Sequence, residues 1–197
     1  QLENQERKSV EKRVRAAAEQ QLAAADEAQG LVVFLEDGHA GVHGITASRL
    51  VERYGRPVAM LAPRGQGARD HQVDPESLLS GSLRGVEGLH LREALQWIAD
   101  RDPDVLQRFG GHSGAAGLSL RREHLLRFRE LFDWACRQQL GDGELQPVVL
   151  LDGELEAAQL SLETVEQFAD LDPWGRDFPP PLFVGEFACD QVRPVGD

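Results

Sequence analysis

The residues best suited to chemistry stand together in Phe109-Gly110-Gly111-His112-Ser113-Gly114-Ala115-Ala116-Gly117. Successive glycines let a backbone approach a ligand closely with its N–H groups exposed, and the small Ala115 and Ala116 let the next strand pack tightly. His112 can donate a hydrogen bond to a phosphate oxygen. The string predicts a phosphate-gripping loop; a bare Gly-Gly-His tripeptide would as readily be a turn with a structural histidine, and the specificity lies in the whole string. Competing chemistries fit less well. His39 and His43 are four apart, as in helical zinc pairs, but Gly38, Gly41 and Gly44 predict a loop that shapes a cleft, and no glutamate lies between them to act as a general base. Gly65-Gln66-Gly67 follows a predicted strand, yet lysine occurs only at Lys8 and Lys12, which excludes a Walker-type phosphate loop. His112-Ser113 lacks the Gly-x-Ser-x-Gly frame of a nucleophile elbow. Cys136 and Cys189 are too few for a disulfide framework or a four-ligand zinc site.

Several elements must position these residues. Val10, Val14, Ala17, Ala18, Leu22 and Ala25 recur at helical spacing with no Gly or Pro before Gly30, which predicts a long helix whose thin apolar stripe lies across a surface or links two domains. A strand over Leu31 to Leu35, a loop from Asp37 to Gly44, a helix from Ile45 to Tyr54 and a strand over Val58 to Leu61 follow. The stretch from Pro63 to Ser80 has no period. Leu83 to Val86 is expected as a strand, Leu91 to Ile98 as a helix, and a short helix runs from Pro103 to the glycines at 110 and 111. Ala115 to Leu120 is a strand, and Leu125, Phe128, Leu131, Phe132 and Ala135 mark one face of a helix. Trp97 and Trp134 fall in apolar helical patterns and are expected in the core. Composition changes at Gly141 to Pro147. Beyond it come a strand over Val148 to Leu151, a helix capped by Ser161, a proline-rich turn and a strand near Phe183 to Ala188. So little sheet cannot close a barrel, and the second domain is expected to be incomplete.

Charge is segregated. Of the 21 basic and 33 acidic residues, only 2 basic residues (Arg176 and Arg193) and 13 acidic ones lie in 141–197, so the preceding 140 residues are nearly balanced and rich in arginine. A uniformly acidic surface would argue against nucleic acid, because each phosphate contact needs a cation; this distribution leaves it open for the first part. Arg121, Arg122, Arg127 and Arg129 could track a nucleic-acid backbone or simply form a solvated helix face. With 41% hydrophobic residues and 20 glycines, about half the chain is apolar and can bury a core. No apolar run approaches the ~20 residues of a bilayer span, no signal-peptide pattern opens the chain, and a cytoplasmic protein without membrane contact is expected. The first residue, Gln1, suggests part of a longer polypeptide.

The Gly-Gly-His string resembles that of the DHH phosphoesterase superfamily, and within it the RecJ-type single-strand-specific exonucleases. The resemblance continues in order through Asn4-Gln5-Glu6-Arg7, the segment His39 to Leu50, Arg56-Pro57, Gly81-Ser82-Leu83-Arg84, Gly88-Leu89-His90, Pro173-Trp174-Gly175 and Pro179 to Phe183. It implies an α/β fold: a linker helix over 1–29, a mixed-sheet DHH-associated substrate-binding domain over 30–140 that carries the GGH motif, and an acidic, partial OB-like segment over 141–197.

The resemblance also implies phosphodiester hydrolysis of single-stranded DNA from a 5′ end, in DNA repair and recombination. Manganese or magnesium would be held by an N-terminal DHH domain of the same polypeptide. No Asp-His-His tripeptide occurs in this chain, so no metal ligand or cofactor is expected in it and the chain alone should be inactive. Carried over residue by residue, His112 would be catalytic and reach the scissile phosphate. Gly110 and Gly111 would let the loop approach the substrate, and Ser82 and Arg84 would hold a phosphate, the terminal 5′ group. Residues 65–80 stand as an insertion, and Gly85 replaces a small hydroxyl residue. Gly67-Ala68-Arg69 competes for the arginine's role but lacks the serine. Two other readings of the scaffold are a non-catalytic module that binds nucleic acid or protein, and an oligonucleotide or cyclic-dinucleotide phosphodiesterase.

Overall fold

The computed structural model describes residues 2–23, 28–38, 40–64, 77–143, 145, 147–171, 173–175 and 178–193. It divides into two compact units, Gln1–Pro147 and Val148–Asp197. The first contains α1 (Leu2–Leu22), β1 (Leu31–Phe34), α2 (Ala40–Tyr54), β2 (Val58–Pro63), β3 (Leu78–Arg84), α3 (Leu91–Arg101), β4 (Arg108–Gly111), β5 (Ala115–Arg121) and α4 (Leu125–Leu140). The strands form one sheet in the order β1-β2-β3-β5-β4. β1 and β2 are parallel across the α2 crossover, and the remaining pairings are antiparallel, so the sheet is mixed.

Alternation along the strands explains why this sheet separates two cores. In β2, Ala59 and Leu61 join the core under α3 and α4 with Leu79, Leu83, Leu95, Ile98, Phe128 and Phe132. Val58 and Met60 point the other way, into a second core with Val14, Ala18, Leu22, Leu31, Val33 and Leu50 from α1, β1 and α2. Burial on both faces is why β2 reads as an unbroken apolar run. Each large side chain fully buried this way contributes about 1.5–3 kcal/mol. On β3 the alternation changes character. Leu79 and Leu83 serve the first core, but Ser80, Ser82 and Arg84 occupy the opposite face, so the second core stops there.

The thin stripe of α1 lies on α2 and β1, with Val14, Ala18 and Leu22 buried at four-residue spacing. Arg49–Glu11 and Arg53–Glu19 ion pairs join α1 to α2, the latter at 2.9 Å. Where the chain enters β1, Asp133 of α4 accepts hydrogen bonds from the Gln29 and Gly30 amides at 2.6 and 3.1 Å and from Arg137 Nε at 2.8 Å.

Several elements depart from expectation. α2 begins at Ala40, so His43 and Gly44 are helical, not part of a loop ending at Gly44. β3 begins at Leu78 and ends at Arg84, earlier than the expected strand at Leu83 to Val86, because Leu79 and Leu83 are needed on the core face. Most of the aperiodic segment before it, residues 65–76, lies outside the described residues. The expected helix from Pro103 is a turn that buries Val105 and Leu106, and Arg108–Gly111 then pairs with β5 as an edge strand. Trp134 is half-buried beneath the Arg101 guanidinium at 4.4 Å, whereas Trp97 is exposed, not core.

In the second unit β6 (Gly153–Glu154) pairs in parallel with β7 (Phe183–Val184). Val148 to Leu151 form no strand and are exposed, because among the described residues no neighbouring strand takes up their amides. The strand expected at Phe183 to Ala188 is likewise confined to β7. α5 (Leu162–Ala169) starts at the expected cap, where Ser161 Oγ accepts from the Thr164 amide at 3.2 Å. Phe168 packs on Phe183 with ring centroids 5.3 Å apart. Among the described residues no helix is long and apolar enough to cross a membrane.

Candidate nucleic-acid interface

The Gly-Gly-His string forms the β4–β5 hairpin. The His112 amide donates to Ala115 O at 2.8 Å and closes the turn. Two further bonds hold the turn down: the Leu91 amide to Ser113 O at 2.9 Å and the Gly85 amide to Gly114 O at 3.0 Å. Gly111 has φ +141°, and a Cβ there would lie 2.5 Å from both Ala115 O and Ala116 Cα, so glycine is required. Gly110 and Gly114 differ, since a Cβ at either would have no atom within 4 Å. Packing does not demand glycine at these two positions, and the space beside them is open to a ligand.

This geometry corrects the loop as first read. It is a hydrogen-bonded hairpin in which the His112 N–H is used within the turn and is not offered to a ligand. Its contribution is a rigid backbone with the exposed imidazole of His112 at the tip.

Strand register brings the other candidates alongside. Ser82 pairs with Gly117, which pairs with Gly110, and Arg84 pairs with Ala115, the hydrogen-bond partner of His112. Residues directly opposite in an antiparallel pair share a face, so Ser82, Arg84 and Gly110 lie on one face beside the hairpin tip. Arg84 is held in place: Nη1 donates to Leu83 O at 2.8 Å, and its guanidinium lies against Gly44, where a Cβ would be 2.7 Å from Nη2. The glycine in α2 is thus explained by close approach of the arginine. Arg84 makes no ion pair with a carboxylate among the described residues, leaving its charge available to an anion.

Other candidates are placed elsewhere. His43 is buried in α2 and packs towards Gly38, whose hypothetical Cβ would be 2.7 Å from His43 Nε2, so it does not line a cleft loop. His39 and the competing Arg69 lie outside the described residues. Of the arginines from the end of β5 onward, Arg122 binds both Glu36 oxygens at 2.8 and 2.6 Å, and Arg127 reaches Asp102 at 3.0 Å and Glu130 at 3.0 Å. Arg121 pairs with Glu123 at 3.6 Å. Arg122 draws the Glu36 carboxyl below its ordinary range through their hydrogen bond. His90 of the Gly-Leu-His motif caps α3, its Nδ1 accepting from the Glu93 amide at 3.2 Å. Burial pushes the Cys136 thiol up, which makes it inert as a nucleophile. Among the described residues no three His, Cys, Asp or Glu side chains converge as a metal cage. Sequence reasoning passed over Ser80, Arg64 and Arg108. The alternation Ser80-x-Ser82-x-Arg84 was the available signal for a polar sheet face.

The DHHA1 domain model matches residues 27–138, and the RecJ OB domain model matches residues 151–197. The chain is 39% identical over 199 residues to the single-stranded-DNA-specific exonuclease RecJ of Salmonella typhimurium, covering 98% of this chain and 33% of that protein. With the RecJ of Haemophilus influenzae identity is 39% over 167 residues, 85% of this chain and 27% of that protein. The crystal structure of Thermus thermophilus RecJ in complex with Mg2+ superposes with a TM-score of 0.67 at 29% identity, over 91% of this chain and 25% of that one. The same enzyme has also been solved with Mn2+. The chain spans a third or less of the curated relatives named here.

Proposed function

The chain belongs to the DHHA1 domain family and continues into a RecJ OB segment, and from that premise we propose that it is the substrate-binding part of a single-stranded-DNA-specific 5′ exonuclease. The observation that supports this reading best is the register that sets Ser82, Arg84, Gly110 and the hairpin carrying His112 along one sheet face, with α2 approaching that face at Arg84. Arg84 and Ser82 hold a phosphate, the terminal 5′ group, and the guanidinium supplies the charge-assisted bonds that such a group needs. His112 directs its imidazole at the neighbouring scissile phosphate and stabilises charge that develops there.

The Thermus thermophilus RecJ structures hold Mg2+ or Mn2+. The described residues of this chain do not fit such an ion, because no donor set converges. Metal chemistry therefore belongs, in this reading, to a catalytic DHH domain of the same polypeptide, and this chain's own residues bind, orient and donate hydrogen bonds. The setting is cytoplasmic.

Two measurements test the reading. The isolated chain should bind 5′-phosphorylated single strands in preference to duplex DNA, and Arg84→Ala should weaken that binding by about tenfold. In the polypeptide that includes the catalytic domain, His112→Ala should lower kcat by ~100-fold or more with little change in KM, as for loss of a donor used mainly in the transition state. Unchanged kcat in a well-folded His112→Ala enzyme would return His112 to a structural role.

A further inference from the structure

We propose a second phosphate subsite on the same sheet face, formed by Arg64, Ser80, Ser119 and Arg108, which holds a backbone phosphate of a single nucleic-acid strand further along from the one at Ser82 and Arg84. This rests on the reading of that face as the seat of the strand.

The argument begins with register. Ser80 pairs with Ser119, and Ser119 pairs with Arg108, so the three form one cross-strand row. The next row is Ser82, Gly117 and Gly110, and the one beyond it is Arg84 with Ala115. No carboxylate occurs in any of the three rows. Four residue steps along β3 separate Ser80 from Arg84, about 13 Å at strand rise, too far for one phosphate to bridge and suited to separate phosphates of an extended strand. Between the two cationic ends the glycines at 110 and 117 leave only the small Ser82 side chain in the middle row. A slim ligand that carries an anion at each end fits such a surface, as a sugar–phosphate strand does.

Geometry at the far end supports a built subsite. Arg64, Ser80, Arg108, Gly117 and Ser119 border a cavity of about 330 Å³. Arg64 leaves the end of β2 with its amide bonded to Leu78 O at 2.7 Å, so its backbone is anchored while its side chain is exposed. Arg108 is exposed on the edge strand. Neither arginine pairs with a carboxylate among the described residues, in contrast to Arg121, Arg122 and Arg127. Two unpaired guanidiniums beside two serine hydroxyls offer the donors that a phosphate accepts.

Ligand length separates this subsite from the first. Fluorescence anisotropy of the 197-residue chain is measured with 5′-phosphorylated oligothymidylates, a dinucleotide and a hexanucleotide. Arg64→Ala and Arg108→Ala should each weaken hexanucleotide binding about tenfold and leave the dinucleotide unaffected, while Arg84→Ala weakens both. Each loss should flatten the slope of log affinity against log salt by ~0.7. Arg108→Lys should restore most hexanucleotide binding, which separates loss of charge from loss of fold. Unchanged hexanucleotide affinity in both variants, with Arg84→Ala still impaired, overturns the second subsite and spares the first. No effect of Arg84→Ala on either ligand, or no hexanucleotide binding by the parent chain, overturns both. Competition by an acidic hexapeptide equal to that by the hexanucleotide would assign the face to another class of ligand and overturn the proposal.

Discussion

Gly110 and Gly111 are adjacent, yet the structure constrains them differently, and the difference separates folding from binding. At Gly111 a side chain would collide with Ala115 O and Ala116 Cα in a backbone conformation that L residues rarely adopt. Gly111→Ala should therefore cost about 2 kcal/mol or more, read as a lower denaturant midpoint. At Gly110 an added Cβ meets no protein atom within 4 Å. Gly110→Ala should leave stability within ~0.5 kcal/mol of the parent while lowering affinity for 5′-phosphorylated single strands, because the methyl group occupies the ligand's side of the strand. Equal binding by the Gly110→Ala chain would show that no ligand approaches there.

At the scale of elements, the sheet keeps its shape because side chains tie the ends of strands to helices distant in sequence. Asp133 of α4 accepts the Gln29 and Gly30 amides just before β1, a closure of more than a hundred residues. Asp133→Ala leaves two part-buried amides without this acceptor and should cost about 2–3 kcal/mol, measurable by chemical denaturation. Arg122 similarly joins the turn after β5 to Glu36 after β1. Glu36 has a depressed pKa in the folded state, so its contribution is fully present above the unfolded carboxylate's range and is lost as pH falls through the lower folded value. Glu36 is about half exposed, its side chain at 48%, which limits the contribution to under about 1 kcal/mol. Denaturation midpoints in acid should therefore fall slightly less steeply with pH for Arg122→Ala than for the parent. Identical slopes would mean that the pair is screened out in solution.

For the whole molecule, long-range charge opposes the proposed interface. Val148–Asp197 carries 11 acidic and 2 basic residues, whereas both cores lie in Gln1–Pro147. A chain ended at Pro147 should remain folded and bind single-stranded DNA more tightly than the 197-residue chain at low salt. The gain should shrink as ionic strength rises, since the screening length shortens to about 8 Å at physiological salt. Weaker binding after truncation would identify the second unit as part of the DNA surface, its acidic character notwithstanding.

What the sequence by itself determined was carried by local and periodic signals. The stripe of α1, the apolar runs of β1 and β2, the face of α4 and the Ser161 cap depend on side chains within a few residues of one another, so pattern and propensity suffice to read them. The Gly-Gly-His string was legible as phosphate chemistry from the properties of glycine and histidine themselves, whereas Ser82 and Arg84 entered only through the family resemblance. Only the tertiary structure decided that β4 is a strand, since Arg108–Gly111 has little strand character of its own and acquires it by pairing with β5. The tertiary structure likewise buried His43, engaged Arg121, Arg122 and Arg127 with carboxylates, and left Arg64, Arg84 and Arg108 without a carboxylate partner among the described residues. Those outcomes depend on which side chains from distant segments meet across the sheet. Register sets that, and no local property of the chain encodes it alone.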